Sequence, residues 1–133
     1  ESYASATGLI RMAREQMDKH PDSLLWKFCD GDKSKVNAEL AFKASDEKDE
    51  AGMLAVQEYM KYLAAGVANA INMFRPEVVV LGGGISNRGE KLAAELNEMV
   101  KGECFGHTFV KPAEVVIASL KNDAGIIGAA ELC

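Results

Sequence analysis

Three consecutive glycines, Gly82-Gly83-Gly84, follow the apolar run Val78-Val79-Val80-Leu81 without a break. A backbone free of side chains can turn sharply, and it lets a phosphate or a ribose lie directly against main-chain N–H groups. The chemistry open to this pattern is recognition of an anionic or hydroxyl-rich ligand by backbone donors. Two better-defined phosphate motifs do not fit. No Lys-Ser or Lys-Thr follows at the spacing of a P-loop, and a G-x-G-x-x-G fingerprint begun at Gly82 and Gly84 would need a glycine where Asn87 stands. A tight strand-to-helix turn with no ligand is the other reading of the same residues.

The remaining chemistry-bearing residues are scattered. Cys29, Cys104 and Cys133 lie far apart, form no C-x-x-C pair, and find neither His20 nor His107 at metal-ligand spacing. They read as free thiols of a reducing compartment, which points to the cytoplasm. The run Ser45-Asp46-Glu47-Lys48-Asp49-Glu50 reads as a solvated helix start whose acids suit the positive end of the helix dipole, with a metal site as the second reading. Trp26 reads as a core aromatic rather than a sugar platform. The formal charge of -5 argues against nucleic acid or an anionic membrane as a partner. Glu58, Lys61, Asn69 and Asn72 interrupt the longest apolar segment, so no membrane span is expected.

Several elements must position the glycine turn. Pro76 blocks continuation of a preceding helix, and Val78 to Leu81 read as a strand covered on both faces. That helix runs from roughly Glu50 to Phe74, with Leu63, Val67, Ala70, Ile71 and Phe74 on one stripe. Ala64, Ala65, Gly66 and Ala68 would permit close approach of a second helix or of the sheet, and Met53, Met60 and Met73 read as irregular core filler. Beyond the turn, Asn87 with Glu90 resembles a capping box for a helix that reaches about Lys101 and stops at Gly102. Glu103 to Ala113 is a loop, and Val115 to Ser119 repeat the buried-strand pattern. The intervening length accommodates a crossover helix, so the two strands should be parallel neighbours in a right-handed unit. Asn122-Asp123 can cap a last helix from Ala124 to Leu132, whose Gly125, Gly128, Ala129 and Ala130 would bring its backbone close to the sheet or to a bound base.

Upstream, an amphipathic helix spans Ser2 to about Lys19 and ends at Pro21. A short helical turn and loop follow to Val36, and Asn37 caps a brief helix through Ala44. At 133 residues with 48% hydrophobic content, the chain has the size and core of one ordinary domain. It starts with Glu1 rather than Met and reads as a piece of something longer.

In order along the chain, Glu1-Ser2-Tyr3-Ala4-Ser5, then Tyr62-Leu63-Ala64-Ala65-Gly66-Val67-Ala68-Asn69 leading into Phe74-Arg75-Pro76-Glu77-Val78-Val79-Val80-Leu81-Gly82-Gly83-Gly84-Ile85-Ser86, and last Asn122-Asp123-Ala124-Gly125-Ile126-Ile127-Gly128-Ala129-Ala130, closely resemble the C-terminal part of the ROK family. This family comprises bacterial sugar kinases and sugar-responsive repressors, and the resemblance is greatest to its glucokinases. It covers nearly the whole chain and is weakest between Pro21 and Glu50.

The resemblance implies an α/β fold, the C-terminal half of a ribonuclease-H-like lobe of the actin and hexokinase type, with a parallel strand pair and packed helices. Residues 1–133 would be a partial C-terminal sugar-kinase domain. Gly82, Gly83 and Gly84 would border the adenosine end of ATP. Glu1 matches the glutamate that closes the family's cysteine-rich zinc motif and helps bind the sugar, where an ionised carboxylate accepts from two hydroxyls. The aspartate-glycine-glycine phosphate loop, the catalytic aspartate and the zinc ligands belong upstream of Glu1. No catalytic residue is therefore expected in this chain, which alone should be inert. The parent would be an ATP- and Mg2+-dependent, glucokinase-like hexose kinase that transfers the γ-phosphoryl group to a sugar hydroxyl, with structural zinc only upstream. The alternative is the sugar-sensing domain of a ROK transcriptional repressor. An exposed edge of the strand pair, covered by a partner copy or by loop, makes a homodimer the expected assembly.

Overall fold

The structure, a computed structural model, describes residues 2–109, 111–120 and 123–132. Packing divides the chain into two compact units, Glu1–Leu63 and Ala64–Cys133.

The N-terminal unit is helical, and its helices start where short polar side chains can satisfy the free N–H groups of a first turn. Ser5 Oγ accepts from Gly8 N at 3.1 Å and opens α1, Ala6–Lys19. Ser23 Oγ accepts from Leu25 N and opens α2, Leu24–Phe28. Asn37 Oδ1 accepts from Leu40 N at 2.9 Å and opens α3, Ala38–Asp46, as its sequence position predicts. The start of α4, Glu50–Phe74, is held by Asp49. The Asp49 carboxylate accepts from Gly52 N at 2.9 Å, from Leu24 N at 2.9 Å and from the Ser23 hydroxyl at 2.8 Å, joining the starts of α2 and α4 through one side chain. Asp49 therefore serves as a cap rather than as part of a metal site.

Leu9, Met12, Met17, Leu25, Phe42 and Tyr59 form the core of this unit. Phe42 meets Tyr59 edge-on, with ring centroids 6.4 Å apart and planes at 87°. Burial pushes the Tyr59 phenol up to about 12. Gly52 lets α4 approach the end of α3 closely, because a Cβ there would fall 2.6 Å from Ala44 Cβ and 2.7 Å from Ser45 N. Trp26 is half-buried, and its Nε1 donates to Met17 O at 3.2 Å, in keeping with a core role.

In the C-terminal unit, α4 presents Ala64, Val67, Ala68 and Ile71 as its buried face, while Phe74 is 74% exposed and so leaves the apolar stripe. Arg75 then adopts a left-handed conformation, φ 47°, ahead of Pro76, and the helix stops. Strands β1, Val78–Leu81, and β2, Glu114–Ile117, pair in parallel with Val78 opposite Glu114 and Leu81 opposite Ile117. The helix between them, α5, Glu90–Lys101, buries Leu92, Ala93, Leu96 and Val100 and packs on β2. Asn97 on α5 donates from Nδ2 to Val115 O at 2.8 Å and accepts at Oδ1 from Val115 N at 2.9 Å. A side-chain amide thus stands in for a neighbouring strand along part of β2.

Four expectations change here. Strand β1 is not covered on both faces, since Val78 and Val80 are 46% and 57% exposed. Residues paired in a parallel ladder share a face, so Val78, Val80 and half-buried Val116 lie on the side away from buried Val115, and this side is the more exposed one. The Asn87–Glu90 capping box is not formed, because Gly84–Arg88 winds into a short 3-10 helix and Gly89 takes the cap position. The last helix, α6, Ala124–Glu131, is exposed along almost its whole length instead of packing on the sheet; Asn122 lies outside the described residues. Met60 fills core, whereas Met53 and Met73 face outward.

Candidate functional site

The glycine turn sits at the carboxyl end of the strand pair. Ala118 N donates to Leu81 O at 2.8 Å, extending the ladder by one rung, so both strands leave the sheet at the same end. Open α/β sheets bind ligands at this end, since the loops that follow parallel strands converge there. Gly83 has φ 78° and ψ -174°, a conformation reserved in practice for glycine. Its carbonyl accepts twice from buried Ser86, from N at 3.0 Å and from Oγ at 2.6 Å. Gly89, φ 68°, returns a bond from its N to Ser86 O at 2.9 Å before α5 begins. The turn is therefore braced from below by Ser86, while Gly82, Gly83 and Gly84 are exposed above it. A Cβ on Gly83 or Gly84 would meet nothing within 4 Å. Open space against bare backbone is what a ribose or adenine edge requires.

The sequence singles out the three glycines as a turn but not Ser86 as its support. The available signal was the position of a small hydroxyl residue two beyond the last glycine, where it can reach back to the turn. Glu1, the candidate sugar ligand, lies outside the described residues, which begin at Ser2.

At the opposite, amino end of the strands is a cleft of about 340 Å³ lined by Asn72, Arg75, Glu77, Phe105, Lys111 and Glu114 among others. Its charges are mixed and exposed. Asn72 pins the following loop, donating from Nδ2 to Glu103 O at 3.2 Å and accepting from Phe105 N at 2.7 Å. Cys104, behind this cleft, is buried, and burial followed by the charge of Glu103 pushes its thiol upward, which disfavours the nucleophilic thiolate. His107 is tied to the same loop through Nδ1 at 3.1 Å from Cys104 O.

Among the described residues, no three His, Cys, Asp or Glu side chains gather as a metal site. Among the same residues, no helix is long and apolar enough to cross a membrane.

A family model described as the ROK family matches residues 1–133. A glucokinase of Thermotoga maritima is 39% identical over 132 residues, which are 99% of this chain and 41% of that protein. A xylose repressor of Caldicellulosiruptor bescii is 24% identical, over 96% of this chain and 31% of its own length. Among solved structures, a ROK family glucokinase from Streptomyces griseus, in complex with glucose and AMPPNP, superposes with a TM-score of 0.89 at 27% identity, covering 100% of this chain and 43% of that one. The chain thus spans about two fifths of the glucokinases it matches.

Proposed function

The chain belongs to the ROK family, and from that premise we propose that it is the C-terminal portion of a cytoplasmic, ATP-dependent hexose kinase of the glucokinase type. In this reading Gly82, Gly83 and Gly84 border the adenosine end of ATP, and Glu1 accepts hydrogen bonds from two sugar hydroxyls. Phosphoryl transfer is governed by positioning, charge neutralisation and a base on the attacking hydroxyl. This chain contributes positioning: bare backbone for the nucleotide at one place and a carboxylate for the sugar at another. The phosphate loop and the base come from residues outside it, and the isolated chain is inactive. Magnesium bound with ATP supplies charge neutralisation, and no set of acidic ligands for it is found among the described residues.

The observation that carries the reading is the exposed, glycine-only backbone at the carboxyl end of β1, on a chain that superposes over its whole length on a glucokinase holding glucose and AMPPNP. A fusion of this chain to the upstream part of the Thermotoga maritima glucokinase tests it. Gly83→Val forces a branched side chain into φ 78° and into the open space above the turn. The expected result is a rise in the KM for ATP of about tenfold, equivalent to ~1.4 kcal/mol, with the sugar KM little changed. A change confined to the sugar KM would remove the turn from the nucleotide site.

The likeness to a xylose repressor supports a second reading, a sugar-sensing domain without phosphoryl transfer. Calorimetric titration of the chain with AMPPNP separates the two: binding favours the kinase, and sugar binding in the fusion without any nucleotide binding favours the sensor. The proposed homodimer is checked by light scattering on the same sample.

A further inference from the structure

Asn97 commits a half-buried side-chain amide to backbone rather than to solvent. Its Nδ2 donates to Val115 O at 2.8 Å and to Ala93 O at 2.9 Å, and its Oδ1 accepts from Val115 N at 2.9 Å. Both amide hydrogens and the amide oxygen are therefore engaged, and the bond to Ala93, one turn back on α5, fixes the amide plane. Reversing the amide would set its oxygen against two carbonyl oxygens and its NH2 against an N–H, so the network admits one orientation. The ladder shows which edge of the sheet this amide occupies. Leu81 lies opposite Ile117, and Ala118 N donates to Leu81 O. In a parallel pair, successive residues of a strand turn their N–H and C=O alternately toward and away from the partner strand. Val116 thus faces β1, whereas Val115 and Ile117 turn their groups to the outer edge of β2.

We propose that Asn97 is an edge guard: by binding Val115 as a neighbouring strand would, it keeps a strand of a second copy of this chain from adding to β2. The segment Glu114-Val115-Val116-Ile117 is mostly β-branched and carries a single charge, the composition that invites pairing at an open edge. Asn97 takes both outward groups of Val115, inside a strand of four residues. An incoming strand would find only Ile117 left to pair with within β2, too little to set a register. The guard is an amide, and this chemistry matters. It offers two donors and an acceptor, so it satisfies the backbone it covers, whereas a bulky apolar side chain would leave Val115 N and O without partners.

Three variants of the 133-residue chain separate guarding from a purely structural role. Asn97→Leu is close in size and frees both groups of Val115, and Asn97→Ala frees them by deleting the amide. Leu and Ala are strong helix formers, so neither change works against α5. Asn97→Asp also loses both donors, but it leaves a carboxylate at the edge, where a charge opposes the approach of an apolar strand. All three are expected to lower the urea midpoint. In dilute samples of all three, the Val115 amide should exchange about fivefold faster, as befits the loss of one net hydrogen bond. Only the Leu and Ala variants are expected to gain mass over the parent in light scattering as concentration is raised. Val115 should then regain its protection as they associate. If the Leu and Ala variants keep the parent's mass at every concentration, the amide only completes the packing and the guard is overturned. If the Asp variant associates as strongly as they do, association follows from lost stability rather than from an open edge, and the proposal falls as well.

Discussion

The two units of this chain use glycine in opposite ways. In the N-terminal unit, Gly8 and Gly52 are filled sites, where an added Cβ would strike the chain's own backbone below 3 Å. In the C-terminal unit, Gly66, Gly83, Gly84, Gly125 and Gly128 face open space within 4 Å. The apolar surface divides in the same way. The N-terminal unit closes Leu9, Met12, Met17, Leu25 and Tyr59 to within 2% of full burial, whereas the C-terminal unit leaves Met73, Phe74, Val80, Phe105, Phe109, Ile126 and Leu132 more than half exposed. Apart from Gly31, where an added Cβ would meet nothing within 4 Å, the first unit spends its missing side chains on packing against itself. In the second the missing side chains leave open space at the surface instead.

The largest effect expected from this contrast lies at Gly52. An alanine there must displace backbone at Ala44 and Ser45 rather than a flexible side-chain end. The expected cost is about 3 kcal/mol, the upper part of the range for overpacking, read as a lowered urea midpoint with unchanged slope. A loss below about 0.5 kcal/mol would mean that α3 and α4 have slack, and the distinction between filled and open glycines would fail.

The closed core of the N-terminal unit also has a reporter that the other unit lacks. The chain's tyrosines, Tyr3, Tyr59 and Tyr62, all precede Leu63, and only Tyr59 is buried. Its phenol is raised from an ordinary value of 10.0 to about 12 because burial penalises the phenolate. The neutral form is thus favoured in the fold. This contribution to stability is complete below about pH 10 and is lost as pH rises from about 10 to about 12. Tyr59→Phe should be nearly silent at neutral pH and should flatten that alkaline loss in denaturant titrations. An unchanged alkaline limb would indicate that water reaches Tyr59, and that the core is less closed than its burial implies.

What could be read from the sequence follows the range of the interactions involved. The limits of α4 at Glu50 and Phe74, the cap at Asn37 and the parallel pairing of the two Val-rich runs depend on local periodicity, capping chemistry and connection length, and the structure reproduces them. The sequence alone did not reveal which glycines are filled, because Ala44 meets Gly52 and Tyr3 meets Gly8 only after folding. The exposed face of β1 was misread for a related reason. A run such as Val78-Val79-Val80-Leu81 records what the strand is suited to be covered by, and the described residues cover one face more than the other. Asn87 was misread as a cap because Gly89 can take φ 68°, which lets Ser86 draw the backbone into a 3-10 helix and moves the start of α5 to Glu90. The glycine turn was found from its residues, but its brace at Ser86 required the fold.

The smallest effect, and the sharpest test of the contrast, is at Gly66. It lies in the interior of α4, exposed, with nothing within 4 Å of an added Cβ, so alanine should stabilise the isolated chain by up to about 1 kcal/mol through helix propensity alone. That sign is opposite to Gly52→Ala, although both positions are helical glycines of the same helix. In the fusion kinase the gain should shrink or reverse if another element approaches α4 at this point, because the Cβ would then meet a neighbour that this chain does not contain. Thermal unfolding of the chain and of the fusion, each with and without the Gly66→Ala substitution, reads both signs. Destabilisation in the isolated chain would show that Gly66 is filled like Gly52. Equal stabilisation in both proteins would show that the open space at α4 is plain solvent, and would leave only the glycine turn as a place where the C-terminal unit awaits a partner or ligand.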